Sequence, residues 1–187
     1  MKLFIFLIIA DYPQYRYFQS EVIEHKDKKA LVKDIDEQLK TPSVKTLLFP
    51  VCIDFHWTIL IIEKDVVYYY DPVFGAIKPQ VRALRTALKR EFIKIEQSES
   101  YPRQEDNNNC GVFVMLTTMA KVQNGRWHPS KEQCEDREYM KSCRRQIIKM
   151  LMQNHPCKHT LDLDGPYALE FDQITDSIGE FFTFLDC

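Results

Sequence analysis

From Cys110 to Gln123 the chain reads CGVFVMLTTMAKVQ, apolar on nearly every side of a helical wheel. A surface helix keeps one polar face, so this segment is expected to be a helix buried in the core. Asn107, Asn108 or Asn109 can cap its start through a side-chain oxygen, and Gly125 can close its end. Such a helix needs a body around it, and 187 residues suit one compact domain with a real core. Hydrophobic residues make up 45% of the chain and glycine is rare, with 5 residues, which excludes disorder and low-complexity repeats.

A β-rich block precedes the helix. Thr46–Ile53 (TLLFPVCI) and residues 58–63 (TILIIE) read as strands, and Lys64-Asp65 turns the chain into a third, Val66–Tyr70, as a hairpin. Pro79 opens an amphipathic helix through Arg90, with Val81, Leu84 and Leu88 on one stripe. Residues 91–96 (EFIKIE) alternate less cleanly and read as an edge strand. Earlier, Leu31, Ile35 and Leu39 recur every four positions, a surface helix that Pro42 stops. Beyond the buried helix, a long helix over 130–154 starts with a Ser130-x-x-Gln133 capping box, and an amphipathic stretch covers 171–185. The apolar run Leu3–Ala10 (LFIFLIIA) reads as a buried β-strand rather than a signal-like segment, because no small-x-small cleavage site follows it. Strands in the middle and helices at both ends argue an α+β fold in a single domain, residues 1–187.

Charge and cysteine usage narrow the functional classes. Lys plus Arg is 25 and Asp plus Glu 27, a formal charge of −2, which points away from a polybasic nucleic-acid binder. No apolar run reaches the roughly 20 residues that span a bilayer. The cysteines (Cys52, Cys110, Cys134, Cys143, Cys157, Cys187) show no CxxC spacing. Cys134 and Cys143 lie nine positions apart, about 900° around a helix, and face opposite sides. His155, Cys157 and His159 form the one metal-like cluster, without a partner to complete four zinc ligands. A chain this long and apolar does not need disulfide staples, so a reducing compartment is expected.

Cys110 stands where an Asn-rich loop becomes the first turn of the buried helix. Free backbone N–H groups and the positive helix end favour a thiolate there, and Gly111 lets a substrate backbone approach closely. A thiolate nucleophile needs a base. His56, at the start of a strand, is better placed than His25, His128, His155 or His159, which lie in polar helix ends or loops. An imidazole in turn needs a carboxylate to orient it. Asp71 leaves the hairpin at the open end where His56 enters, so the two emerge together. An oxyanion needs donors as well. The Cys110 N–H is one; Gln104 can fold back to supply another, although spacing alone does not favour it over Asn107, Asn108 or Asn109.

His56-Trp57, then Tyr70-Asp71, then Gln104-x5-Cys110-Gly111, in that order, resembles the Ulp/SENP family of SUMO-specific cysteine proteases. The resemblance runs over about Leu47 to Lys121. It implies a papain-like fold with a central mixed sheet, the buried helix starting at the catalytic Cys, and flanking helices. It further implies Cys110 as nucleophile, His56 as base, Asp71 as orienter and Gln104 as oxyanion-hole donor. Trp57 would roof a narrow tunnel, beside Gly111, for the Gly-Gly tail of a ubiquitin-like protein. The expected activity is a thiol protease or isopeptidase cutting after the C-terminal Gly of a SUMO-type or ubiquitin modifier and its conjugates. It needs no metal or cofactor, engages no nucleic acid or membrane, and works as a monomer in the nucleus or cytoplasm. Two features depart from the family: Pro72 follows the Asp where Ser is common, and no Trp precedes Trp57 where a Trp-Leu pair is usual. Either Tyr12, Tyr15, Tyr17 or Phe18 substitutes, or the N-terminal side is divergent or truncated. The alternatives are an acetyltransferase using the same triad and a non-catalytic modifier-binding module.

Overall fold

The computed structural model describes residues 1–18, 23, 27–95, 103–106, 108–123 and 136–153. Gly125, the Ser130-x-x-Gln133 box, the stretch 171–185, Cys134, Cys157, Cys187, His25, His128, His155 and His159 lie outside the described residues. In chain order the elements are α1 (Lys2–Ile9), β1 (Tyr15–Tyr17), α2 (Lys28–Leu39), β2 (Thr46–Ile53), β3 (His56–Ile62), β4 (Val66–Tyr70), α3 (Pro79–Leu88), β5 (Glu91–Ile95), α4 (Cys110–Gln123) and α5 (Arg137–Gln153).

The strands form one mixed sheet in the order β1-β2-β3-β4-β5. Its middle is antiparallel, β2 with β3 and β3 with β4, and a parallel strand flanks each side. Two apolar layers lie on the two faces. One holds Leu48, Trp57, Ile59, Ile61 and Tyr70 of the sheet against α1, α4 and α5. The other holds Leu47, Phe49, Leu60, Ile62 and Tyr69 against α2 and α3. The strands of the central block are buried on both faces, which is why TLLFPVCI and HWTILII are apolar without alternation. This is the α+β, papain-like arrangement expected from the sequence.

Local chemistry explains the helix limits. Asp27 caps α2 by accepting from the Ala30 N–H, and Leu31 and Ile35 are buried on the expected stripe. Pro79 stands at the start of α3, and Val81, Leu84 and Leu88 are its buried face. That helix stops two residues before the expected Arg90, because Lys89 takes a left-handed conformation, φ 51°. Arg90 turns back instead, donating to the Lys64 carbonyl at 2.7 Å and pairing with Asp36 at 2.6 Å. Asp136 caps α5 through the Glu138 N–H, and Tyr139, Met140, Cys143 and Ile147 form its buried stripe.

One expectation is overturned. The apolar run at 3–10 is a helix over Lys2–Ile9, not a strand. A short apolar run has no periodicity to separate the two states, and the competition is settled by what the run packs on. Ile5, Ile8 and Ile9, spaced as on a helix, are buried against α4 and α5, while Phe6 faces outward at 46% exposure. The sheet edge that a strand would have taken is occupied by Tyr15–Tyr17, which pairs in parallel with Thr46–Leu48. Among the described residues no helix is long and apolar enough to cross a membrane.

Candidate active site

The site is assembled from the ends of three elements. β2 and β3 are joined by the two-residue turn Asp54-Phe55, whose residues both have positive φ, 53° and 60°. Two consecutive left-handed residues make the turn that matches the twist of a hairpin. His56 is the first residue after it and pairs with Ile53 across the ladder. Asp71 follows the last paired residue of β4, Tyr70, which stands opposite Ile59. His56 and Asp71 therefore sit together at the open end of the β3–β4 hairpin, as the hairpin argument requires.

His56 Nε2 lies 2.7 Å from Asp71 Oδ1. With Nε2 engaged, the other ring nitrogen is left for Cys110, with whose side chain the imidazole also hydrogen-bonds. Burial alone would lower the His56 pKa; the hydrogen bonds to Asp71 and Cys110 and the charges of both outweigh it, and raise it to about 9. Burial likewise would push the Cys110 thiol up. Its hydrogen bond with His56, the Trp57 and Gly111 backbone groups and the imidazolium charge reverse that, and hold it below the ordinary thiol value. Each partner thus favours the charged form of the other, a thiolate beside an imidazolium.

Asp71 is only 3% exposed and is held by its own turn. Its Oδ1 accepts the Val73 N–H at 3.0 Å and its carbonyl accepts the Phe74 N–H at 2.9 Å. Pro72, the departure from the family pattern, stands at the turn position where its fixed φ is favourable. Its carbonyl accepts the Gln104 N–H at 2.8 Å, which ties the loop that carries Gln104 to the carboxylate turn. Gly75 lies beneath Asp71: a Cβ there would stand 3.2 Å from Asp71 Oδ2. Sequence reasoning missed Gly75, although a glycine four residues past a candidate carboxylate was a visible signal.

Gln104 is buried at 4% exposure, and its Nε2 donates to the Asp106 carbonyl at 2.7 Å and to Asp106 Oδ1 at 3.0 Å. Asn109 precedes α4, and its carbonyl accepts the Phe113 N–H, but its Oδ1 accepts no hydrogen bond. The side-chain cap expected from Asn109 is thus not made. Trp57 is buried at 6% and its indole faces Gly111, where an added Cβ would stand 3.5 Å from Trp57 Cδ1 and 3.9 Å from the Met1 methyl. Trp57 therefore packs directly over Gly111, next to the residue that carries the thiol. Tyr12, Tyr15 and Tyr17 are half-buried and pack inward, and Phe18 sits against Phe49 at 5.1 Å. Among the described residues no group of His, Cys, Asp and Glu could hold a metal ion, and Cys52, Cys110 and Cys143 are free thiols.

A thiol hydrogen-bonded to an imidazole that contacts a buried carboxylate, at the start of a helix buried against a mixed sheet, is the constellation that papain-like cysteine peptidases use. The Ulp1 protease family, C-terminal catalytic domain, matches residues 2–158, and the chain belongs to that family. The C-terminal Ulp1 protease domain in complex with Smt3, the yeast ortholog of SUMO, is similar in structure with a TM-score of 0.61 at 18% identity, covering 81% of this chain and 73% of that one. A Chaetomium thermophilum Ulp1-like SUMO protease catalytic domain gives 0.56 at 17% identity, over 89% and 71%. The central domain of the Legionella pneumophila Lpg1148 protein gives 0.58 at 16% identity, over 81% and 96%. No curated protein matches the chain in sequence. The class is that of the proteases of the Ulp1 family.

Proposed function

We propose that this protein cleaves after the C-terminal Gly of a SUMO-type modifier, releasing it from a precursor or from a substrate lysine. The single observation that carries this reading is the His56–Asp71 contact of 2.7 Å on an imidazole that also hydrogen-bonds Cys110. The complex of the similar Ulp1 domain with Smt3 supports the choice of modifier.

The Cys110 thiolate attacks the Gly carbonyl carbon, and the carbonyl electrons move onto oxygen. Gln104 and the Cys110 N–H stabilise that oxyanion. As the oxyanion collapses, the imidazolium of His56 gives its proton to the leaving amine, and a thioester remains. His56, now neutral, takes a proton from water; the hydroxide adds to the thioester, and a second oxyanion collapses to free carboxylate and thiolate. Asp71 keeps one ring nitrogen engaged, so that the other faces the sulfur. Trp57, packed over Gly111 next to the thiol, is the group beneath which a tail without side chains would pass and bulkier residues would not.

We read residues 1–187 as one catalytic domain, of which the family model spans 2–158. The need for a free Cys110 thiol supports a reducing compartment, nuclear or cytoplasmic. Nothing in the mechanism requires a second subunit. A module that only bound modifier would have no physical use for an acidified thiol, and an acetyltransferase would need an acetyl-donor site. The test is hydrolysis of a fluorogenic amide at the C-terminus of SUMO. Wild type turns it over and folded Cys110→Ala does not; hydrolysis by the variant would refute the assignment.

A further inference from the structure

The loop from Gln104 to Asn109 joins the oxyanion donor to the nucleophile, and one side chain organises it. Asp106 Oδ1 accepts from Gln104 Nε2 at 3.0 Å, from the Asn108 N–H at 3.1 Å and from the Asn109 N–H at 3.0 Å. Its Oδ2 accepts from Asn109 Nδ2, and its backbone carbonyl accepts from Gln104 Nε2 at 2.7 Å. From outside the loop, Arg144 of α5 donates to the Asn108 carbonyl at 2.9 Å. The opposite end is anchored by the Gln104 N–H on Pro72. We propose that Asp106 is a positioning residue for acyl transfer, whose carboxylate shapes this loop so that the Gln104 amide is presented nitrogen-first as the oxyanion donor. The proposal deepens the functional reading above and rests on it.

Three observations support the role. First, Asp106 fixes which way the amide faces. Turning Gln104 over would place its oxygen against a carboxylate and a carbonyl, three acceptors with no hydrogen between them. Second, the arrangement keeps one hydrogen exchangeable. Nε2 carries two; the shorter bond to the Asp106 carbonyl holds one. The other rests on an Oδ1 that also accepts from the Asn108 and Asn109 N–H groups, so a movement of the Gln104 amide toward a developing oxyanion leaves that oxygen with two donors. Third, Asp106 touches neither His56 nor Asp71 in these hydrogen bonds, so its contribution falls on the oxyanion and not on the thiolate.

That separation supplies the test. Alkylation of Cys110 by iodoacetamide needs a thiolate but forms no oxyanion, whereas acylation by p-nitrophenyl acetate passes through one. Neither probe involves a modifier, so a wrong choice of modifier is distinguishable from a wrong role for Asp106. Rates are measured for wild type, Gln104→Ala, Asp106→Ala and the double variant, with Asp106→Asn as a milder change and thermal unfolding as the fold control. Asp106→Ala is expected to slow acylation by roughly 10- to 100-fold, toward the loss of one oxyanion donor, and to leave alkylation within about twofold. In the Gln104→Ala background the same change should cost less than about threefold, because a residue acting through Gln104 has nothing left to position. Asp106→Asn keeps acceptor capacity at one oxygen and should fall between wild type and Asp106→Ala. Equal losses in acylation and alkylation, equal costs in both backgrounds, or faster acylation by Asp106→Ala would each overturn the proposal. Unchanged acylation in Gln104→Ala would overturn the donor role of Gln104 itself.

Discussion

Replacing Asp71 with Asn removes the carboxylate charge that holds His56 protonated while keeping the side chain's size. In the wild type the imidazole is raised from 6.5 to about 9. That shift corresponds to roughly 3 kcal/mol in favour of the imidazolium, reduced to about 2 by solvent at the partly open ring. At pH 8 about nine-tenths of His56 is then charged; without the Asp71 share of the shift, and with the Cys110 share left, that fraction falls. Turnover needs the thiolate and the imidazolium together. It rises as Cys110 ionises, below the ordinary thiol range, and falls as His56 loses its proton near 9. The assay is kcat/KM for the SUMO amide from pH 5 to 10. The alkaline limb should fall near 9 in wild type and at least one pH unit lower in Asp71→Asn. The same shift stabilises the fold: because the folded value is the higher one, the contribution is complete below 6.5 and is lost as pH rises through about 9. The Tm gap between wild type and Asp71→Asn should therefore shrink across that range. An alkaline limb that stays near 9 in Asp71→Asn would refute the assignment of Asp71 as the group that holds the imidazolium.

Three further outcomes follow from distances in the site. In Gly111→Ala the new methyl meets Trp57 at an ordinary 3.5 Å, so the fold and iodoacetamide alkylation should survive while kcat/KM for the SUMO amide drops at least about 10-fold; an unaffected kcat/KM would contradict a tail that passes beside Gly111. Gly75→Ala presses a methyl to 3.2 Å from Asp71 Oδ2, and should lower kcat several-fold and shift the alkaline limb downward, as a pH profile would reveal. Phe55 is 74% exposed at φ 60°, so Phe55→Asn should stabilise the protein by about 0.5–1 kcal/mol, or roughly 1–4 °C in Tm, with a lower Tm counting against strain in that turn.

The central fold and the site were legible in the sequence because their signals were local and mutually consistent. The strands Thr46–Ile53 and Val66–Tyr70 are bounded by turns, the first of them is buried on both faces, and α4 is apolar nearly all round. The hairpin turn at Lys64-Asp65 was enough to bring His56 and Asp71 to one end. Three features were hidden. The run at 3–10 has no period that separates helix from strand, and only its seat on α4 and α5 decides the matter. Tyr15–Tyr17 is three residues long and is a strand because Thr46–Leu48 offers an edge, a partner far away in sequence. The role of Asp106 depends on where a polar loop folds, and QEDNNN contains several residues that could have served as its hub.

The central claim is that Cys110 is the nucleophile of a protease for a ubiquitin-like modifier. Its most direct test is incubation of the protein with SUMO, ubiquitin and other ubiquitin-like proteins, each ending in a thiol-reactive warhead, beside Cys110→Ala. A covalent adduct with SUMO, mapped to Cys110 by mass spectrometry and absent from the variant, is the predicted result. A folded protein that forms no adduct with any modifier, or one whose adduct persists in Cys110→Ala, would contradict it.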